Sequence, residues 1–275
     1  MCIRDRPYPK YEREKSRWIA FSLSWVVSAV VLIVYGWEIQ GMKPVVAIIF
    51  YGLMALLPAW MLSSAYARNP GIRKQFSTLL KPRGSWIWYL VIFLIFPGLW
   101  LLGGALTRLF GGEALFYLAE LGFKSAVFYL LFEFLRGFLM TGGINEESGW
   151  RGFALPRLQS RYPVIISAGI VWLFWSLWHL PYDIGRGDSL AWILENRLFW
   201  SLLVSILMTW LYNHTNGSIL APALFHPAMN TIGNTFSITT GGRVLFICLT
   251  IFAILYDRMW VKLPPEHPAV YQGLV

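Results

Sequence analysis

The sequence is poor in charge and in cysteine. Only 13% of its 275 residues are charged, whereas 57% are hydrophobic. Soluble domains carry about 25% charged residues, so this deficit excludes an ordinary soluble domain and predicts a polytopic membrane protein. The two cysteines, Cys2 and Cys248, are far apart, and Cys248 lies inside an apolar run. A disulfide framework or a cysteine-based zinc site is therefore not expected.

Several targeting and binding signals are also missing. The charged tract 1–17 has no short apolar core followed by a cleavage site, so the first apolar run is predicted to remain as a helix. The sequence contains no HExxH motif and no internal repeat. The net charge of +9 is spread over short segments between apolar runs, which predicts no nucleic-acid partner.

Long apolar runs dominate the chain. A helix needs about 20 residues to cross a bilayer, and these runs predict an all-α polytopic integral membrane protein with about eight transmembrane helices. Because the sixth run is short and the seventh contains Pro222 and Pro227, seven or nine spans remain open. The runs are 18–37, 44–66, 86–107, 124–141, 163–181, 198–213, 217–236 and 243–261.

The basic residues predict the topology. Of the 23 Lys and Arg residues, 16 lie in the segments 1–17, 68–83, 151–161 and 258–262, and six lie in segments on the opposite side. Because cytoplasmic segments carry the excess of positive charge, both termini are predicted to be cytoplasmic, with the chain in the plasma (inner) membrane. The chain then divides into a basic N-terminal segment 1–17, N-terminal helices 18–123, a core 124–236, and a last helix with tail 237–275.

Few polar side chains fall at membrane depth. Inserting a charged side chain there costs roughly 2.5–3.5 kcal/mol, so such residues are expected to face the protein interior or a water-filled cavity. Glu133 and Arg136 are spaced for a structural ion pair. Connections 109–123 and 183–197 are predicted to be interfacial segments. The remaining polar residues are Glu146, Glu147, Arg151, His179, His226 and Asn230.

The stretch "GGINEESGWRGF" (142–153) carries three of these charges. Its glycines are predicted to end one helix, and Asn145 is predicted to cap the next. Glu147 and Arg151 are spaced i, i+4, which favours an ion pair. Glu146 is left without a local cation, which suits a general base.

Chain geometry brings the other groups toward Glu146. The segments 146–160 and 163–179 have similar helical lengths, so an antiparallel hairpin would place His179 level with Glu146. His226 and Asn230 are four residues apart and share one helix face, beside a bend expected at Pro227. These groups are predicted to surround one polar cavity suited to activating water against an amide bond.

Three motifs resemble the CPBP intramembrane proteases, the CAAX prenyl protease and bacteriocin-processing family. "EESGWR" (146–151) is similar to E-E-x-x-x-R, "WSLWH" (175–179) to F-x-x-x-H, and "HPAMN" (226–230) to H-x-x-x-N. They occur in the family's order. Trp175 stands where the family has Phe, one turn before His179, and is expected to pack in the same way.

The resemblance implies an intramembrane endopeptidase acting on a peptide or prenylated protein within the lipid bilayer. It implies catalytic roles for Glu146, Glu147, His179, His226 and Asn230, with Arg151 and Trp175 in support. Glu146 and His179 would activate water, and His226 and Asn230 would stabilise the oxyanion. Zinc held by Glu146, His179 and His226 is the other possibility, and the sequence leaves metal-dependent and metal-free hydrolysis open.

Two other functions are compatible with the sequence. A non-catalytic bacteriocin-immunity or scaffold protein of the same fold would keep its protective or binding role without Glu146. A small-molecule transporter would use the polar cluster as a proton-coupled site, but no inverted repeat supports it.

Overall fold

The structure is a computed structural model that describes residues 80–118, 121–139, 142–185, 187–237 and 239–271. In these residues the chain is all-helical apart from one antiparallel bridge between Phe116 and Phe236. The basic segment 1–17 and the predicted runs 18–37 and 44–66 lie outside the described residues.

Eight helices follow one another along the described chain. Helices α1 and α6 each contain a π-helical stretch, and another π-helical turn, Trp150–Ala154, joins α3 to α4. The helices are α1 Ile87–Leu109, α2 Phe123–Leu139, α3 Gly143–Gly149, α4 Leu155–Gln159, α5 Val164–Gly185, α6 Leu190–His214, α7 Leu220–Thr235 and α8 Thr240–Tyr256.

Each of the six predicted runs from 86–107 onward contains a helix in the described residues, and the fold resembles that of a membrane protein. By length and composition α1 and α6 are able to cross a membrane, and Val164–Leu180 and Thr240–Tyr256 are shorter apolar helices. Large apolar side chains such as Phe128 and Leu94 are exposed on outer faces, as expected for helices that contact lipid. These residues do not establish the predicted number of eight spans.

Two local predictions differ from the structure. Helix α3 begins at Gly143, so Asn145 lies within the first turn of the helix, whereas the sequence predicted it at the position before the helix. Gly142, with φ +129°, is the residue directly before this helix. The segment 183–197 is not a separate connection, because α5 extends to Gly185 and α6 already begins at Leu190.

Helices α1 and α8 cross closely at glycines. A Cβ built on Gly103 of α1 would lie 2.2 Å from the backbone nitrogen of Gly242. Small residues permit such close approach between helices in membranes. Around this crossing, a core of α1, α6, α7 and α8 side chains includes Phe96, Trp100, Leu207, Met208, Phe225 and Phe246.

Helix α7 is central to the packing because it contacts α2, α3 and α6. It continues through Pro227, and a Cβ on Gly137 of α2 would lie 2.8 Å from the Pro227 ring. This close approach of α2 and α7 places His226, the residue before Pro227, beside the start of α3.

The C-terminal tail packs on the end of the bundle where α4 turns into α5. The Gln159 side chain donates to the carbonyl of Ala269 at 3.0 Å, and the amide of Tyr271 donates to the carbonyl of Pro156 at 3.0 Å. Within the tail, the Ala269 amide donates to Nδ1 of His267 at 3.1 Å. The tail is therefore part of the folded structure.

Candidate active site

The predicted helical hairpin is present. The first arm of the hairpin consists of α3, the π-helical turn and α4, and it ends at Gln159. The second arm is α5, which begins at Val164. Pro156 lies in the first turn of α4, directly after the π-helical turn. The arm accommodates proline through this local change in helix winding, and the hairpin brings Glu146 and His179 to the same region.

Glu147 is at the centre of a buried charge cluster. Nη1 of Arg151 lies 3.0 Å from Oε2 of Glu147, and both side chains are fully buried. Nη2 of Arg151 donates to Oγ of Ser205 on α6 at 3.2 Å. The predicted ion pair is therefore present, and α6 supplies a further contact that anchors it.

His226 also contacts Glu147. Its Nδ1 lies 2.9 Å from Oε1 of Glu147, and its side chain is buried. Because a carboxylate accepts, Nδ1 of His226 carries the proton in this hydrogen bond. Glu147 therefore joins α3 to α7 in addition to holding Arg151.

Glu146 faces α5. Nε1 of Trp175 donates to Oε2 of Glu146 at 2.8 Å, and Glu146 is only partly buried. The structure gives this carboxylate no other hydrogen bond among the described residues. The two adjacent glutamates therefore differ in environment: Glu147 is fully buried and contacts Arg151 and His226, whereas Glu146 is partly buried and is held by one neutral donor.

His179 lies one turn after Trp175 on α5. Its Nδ1 is 2.8 Å from the carbonyl oxygen of Trp175, and because a carbonyl only accepts, Nδ1 is the donor. A neutral His179 then has its lone pair on Nε2. The His179 and His226 rings lie edge-on to the Trp175 indole, with centroids 5.2 and 5.4 Å away.

Gly142 leaves room at the tip of His226. A Cβ built on Gly142 would lie 3.0 Å from Nε2, 3.1 Å from Cε1 and 3.2 Å from Cδ2 of that ring. Because residue 142 is glycine, no Cβ presses on the Nε2 edge of this ring. From the sequence, Gly142 was expected only to end a helix, and no local signal shows its contact with a residue 84 positions later.

The charges of the cluster balance when His226 is an imidazolium. If both glutamates are ionised they carry two negative charges, and Arg151 with a doubly protonated His226 then supplies two positive charges. A neutral group costs less to bury than one with an excess charge. In this state Nε2 of His226 is a hydrogen-bond donor, whereas Nε2 of neutral His179 is an acceptor.

The structure does not bring every predicted site residue into contact with the others. Asn230 lies one turn after His226 on α7 but is exposed, and it makes no hydrogen bond to the other site residues in the described part of the chain. The described residues also contain no group of three His, Cys, Asp or Glu side chains that could hold a metal ion. As placed, Glu146, His179 and His226 do not fit the predicted three-ligand zinc site.

Trp175 makes a contact that was not expected from the sequence. It was predicted to fill the same space as phenylalanine, yet its indole N–H bonds Glu146. The signal was the residue type itself, because tryptophan carries a donor that phenylalanine lacks.

The fold and the site together define a helical, membrane-type protein with carboxylates and imidazoles collected around one indole. Residues 127–232 match the family described as type II CAAX prenyl endopeptidase Rce1-like. The chain is also 30% identical over 180 residues to "CAAX prenyl protease 2" of Methanococcus maripaludis. Over this region the chain is similar to the CAAX proteases, the family that its three motifs resemble.

The similarity covers part of each protein. The matched region is 61% of this chain, and it spans 65% of the length of the archaeal relative. Activity and substrate are therefore taken up as proposals below.

Proposed function

We propose that this protein is an intramembrane endopeptidase that hydrolyses a peptide bond of a membrane-associated or lipidated peptide, with both termini in the cytoplasm. The arrangement that carries the proposal is the grouping of Glu146, His179 and His226 around the Trp175 indole. The name of the archaeal relative, a CAAX prenyl protease, makes a prenylated C-terminal peptide the first substrate to test.

Glu146 is the general base in this proposal. Its partly buried carboxylate takes a proton from water while the water oxygen attacks the scissile carbonyl carbon. Nε2 of His179, the acceptor nitrogen, orients the same water through its second hydrogen. The protonated Glu146 then returns the proton to the leaving amine as the C–N bond breaks. General catalysis of this kind contributes about 10²–10⁴-fold in rate.

His226 stabilises the oxyanion. Glu147 accepts from Nδ1 at 2.9 Å and holds the ring, which leaves Nε2–H to donate to the negative oxygen. Asn230 would be a second donor from the same helix face, approaching when substrate is bound. Each such donor is worth about 10²–10³ in rate. Arg151 supports the arrangement because it fixes Glu147 from the opposite side.

A bound zinc would supply a polarised water and a Lewis acid in place of part of this chemistry. Because the side chains as placed do not form a three-ligand group, no step is assigned to a metal. Metal analysis of purified protein, together with cleavage measured with and without chelator, tests this choice. Full activity with chelator and no bound metal supports hydrolysis by Glu146 and His179 alone.

The decisive experiment is peptide cleavage by the full chain in liposomes, using a farnesylated peptide and its unprenylated counterpart. Glu146→Gln keeps the size of the side chain and removes its basicity, and it should lower kcat by about 10²–10⁴. Glu133→Gln is the matched control, because Glu133 pairs with Arg136 on α2 at 2.6 Å and does not touch the cluster.

Retention of wild-type kcat by Glu146→Gln would contradict the mechanism. If neither peptide is cleaved by the wild type, and peptide binding is the same in wild type and Glu146→Gln, a non-catalytic immunity or scaffold role is the better description.

A further inference from the structure

Trp175 contacts both Glu146, the proposed base, and His179. Its side chain is buried, with 5% of its surface exposed. Its Nε1 donates to Oε2 of Glu146 at 2.8 Å, and its backbone carbonyl accepts from Nδ1 of His179 at 2.8 Å. One residue therefore sets the position of both Glu146 and His179.

The indole cannot rotate without losing several contacts. The Arg151 guanidinium lies 5.4 Å from its ring centroid. The His179 and His226 rings stand at 85° and 86° to it. A donor held in this way presents its N–H in a fixed direction, so the carboxylate that accepts from it has a fixed orientation as well.

The hydrogen bond matters to both partners. A buried indole N–H normally has an acceptor, and a bond to an ionised carboxylate is stronger than one to a neutral acceptor. A phenylalanine would fill much of the same volume and leave the Glu146 carboxylate free to turn. Packing alone therefore does not account for tryptophan at this position.

We propose that Trp175 is a positioning residue whose indole N–H holds Oε2 of Glu146, so that Oε1 is directed at the attacking water. This rests on the proposed peptidase function. Trp175 touches neither water nor substrate in this role and acts only through the carboxylate.

The test is Trp175→Phe, which keeps an aromatic ring and removes the donor. We expect kcat to fall about tenfold to a hundredfold, the scale of misplacing a catalytic group by up to 1 Å. KM should stay within about twofold, because the change acts on the reacting geometry. Thermal unfolding in detergent should show whether the fold is retained.

Trp172→Phe is the matched control. Trp172 is one turn earlier on α5, and its Nε1 donates to the carbonyl of Arg197 at 2.8 Å and to Oγ of Ser201 at 3.0 Å, away from the cluster. It loses the same type of donor, and kcat should remain near that of the wild type. Equal losses of kcat and of thermal stability in both variants would overturn the positioning role, and so would an unchanged kcat in Trp175→Phe.

A second measurement does not depend on activity. In NMR spectra of protein with labelled tryptophan indoles, the N–H resonance absent from Trp175→Phe identifies Trp175. That resonance should move upfield in Glu146→Ala, because the charged acceptor is gone. An unmoved resonance would refute the contact itself. If the resonance moves in Glu146→Ala but the wild-type protein cleaves no peptide, the contact stands. The proposed function and the positioning role are then refuted.

Discussion

Replacing Gly142 by alanine should damage the site without touching any charged residue. The new Cβ would lie 3.0–3.2 Å from three atoms of the His226 ring, so the imidazole must move by a few tenths of an ångström. The backbone at φ +129° is also unfavourable for any residue with a Cβ, at a cost of about 1–3 kcal/mol.

The expected loss of activity follows from these distances. If the ring only tilts, kcat should fall about tenfold, since a misplacement near 1 Å costs about 100-fold. If the methyl group covers Nε2, the proposed oxyanion donor is lost and the fall should approach about 100-fold or more. The assay is peptide cleavage by full-length protein in liposomes, with thermal unfolding measured in parallel.

Gly149→Ala provides the control. Gly149 ends α3, and a Cβ there meets nothing within 4 Å. Alanine is favoured over glycine within helices by about 1 kcal/mol, so this variant should be at least as stable and fully active. Equal kcat values for Gly142→Ala and Gly149→Ala would refute the argument that His226 needs the open space at Gly142.

Two further predictions concern stability. Gly103→Ala should lower Tm markedly, because its Cβ would lie 2.2 Å from the backbone of Gly242. Gly98→Ala on the same helix should leave Tm unchanged, because a Cβ there meets nothing within 4 Å. Similar Tm values for the two variants would contradict the close crossing of α1 and α8 at glycines. Burial, and secondarily the nearby His214, lowers the pKa of His267 below its ordinary value of 6.5. The neutral His267 ring is therefore favoured when the tail is docked, so docking should be complete above pH 6.5 and weaken as the pH falls. If the hydrogen-exchange protection of residues 264–271 is the same at pH 7.5 and pH 5.5, this pH dependence is wrong.

Contacts within one helix could be predicted from spacing. The pair of Glu147 and Arg151, four residues apart, and that of Glu133 and Arg136, three apart, both form as expected. Such pairs depend only on helical geometry. The hairpin from α3 to α5 was similarly predictable, because two arms of equal length must return to the same level.

The partner of each glutamate could not be predicted in this way. Adjacent residues on a helix point about 100° apart, so the rotation of α3 decides which carboxylate faces α7 and which faces α5. Spacing suggested that His226 would serve the same cavity as Glu146, whereas its hydrogen bond is to Glu147. That rotation depends on how α3 packs against α7, which is a long-range property.

By itself, the sequence determined the helical class, the runs that contain helices, the resemblance to the CAAX proteases and the three motifs that carry the polar residues. These follow from composition, from the period of the helix and from residues close together in the chain. Only the tertiary structure decided that Trp175 bonds Glu146, that Glu147 joins Arg151 to His226, and that Gly142 leaves the tip of His226 open. Each of these arrangements brings together parts of the chain that are far apart in sequence, so it depends on how the helices approach and turn toward one another, which local spacing does not specify.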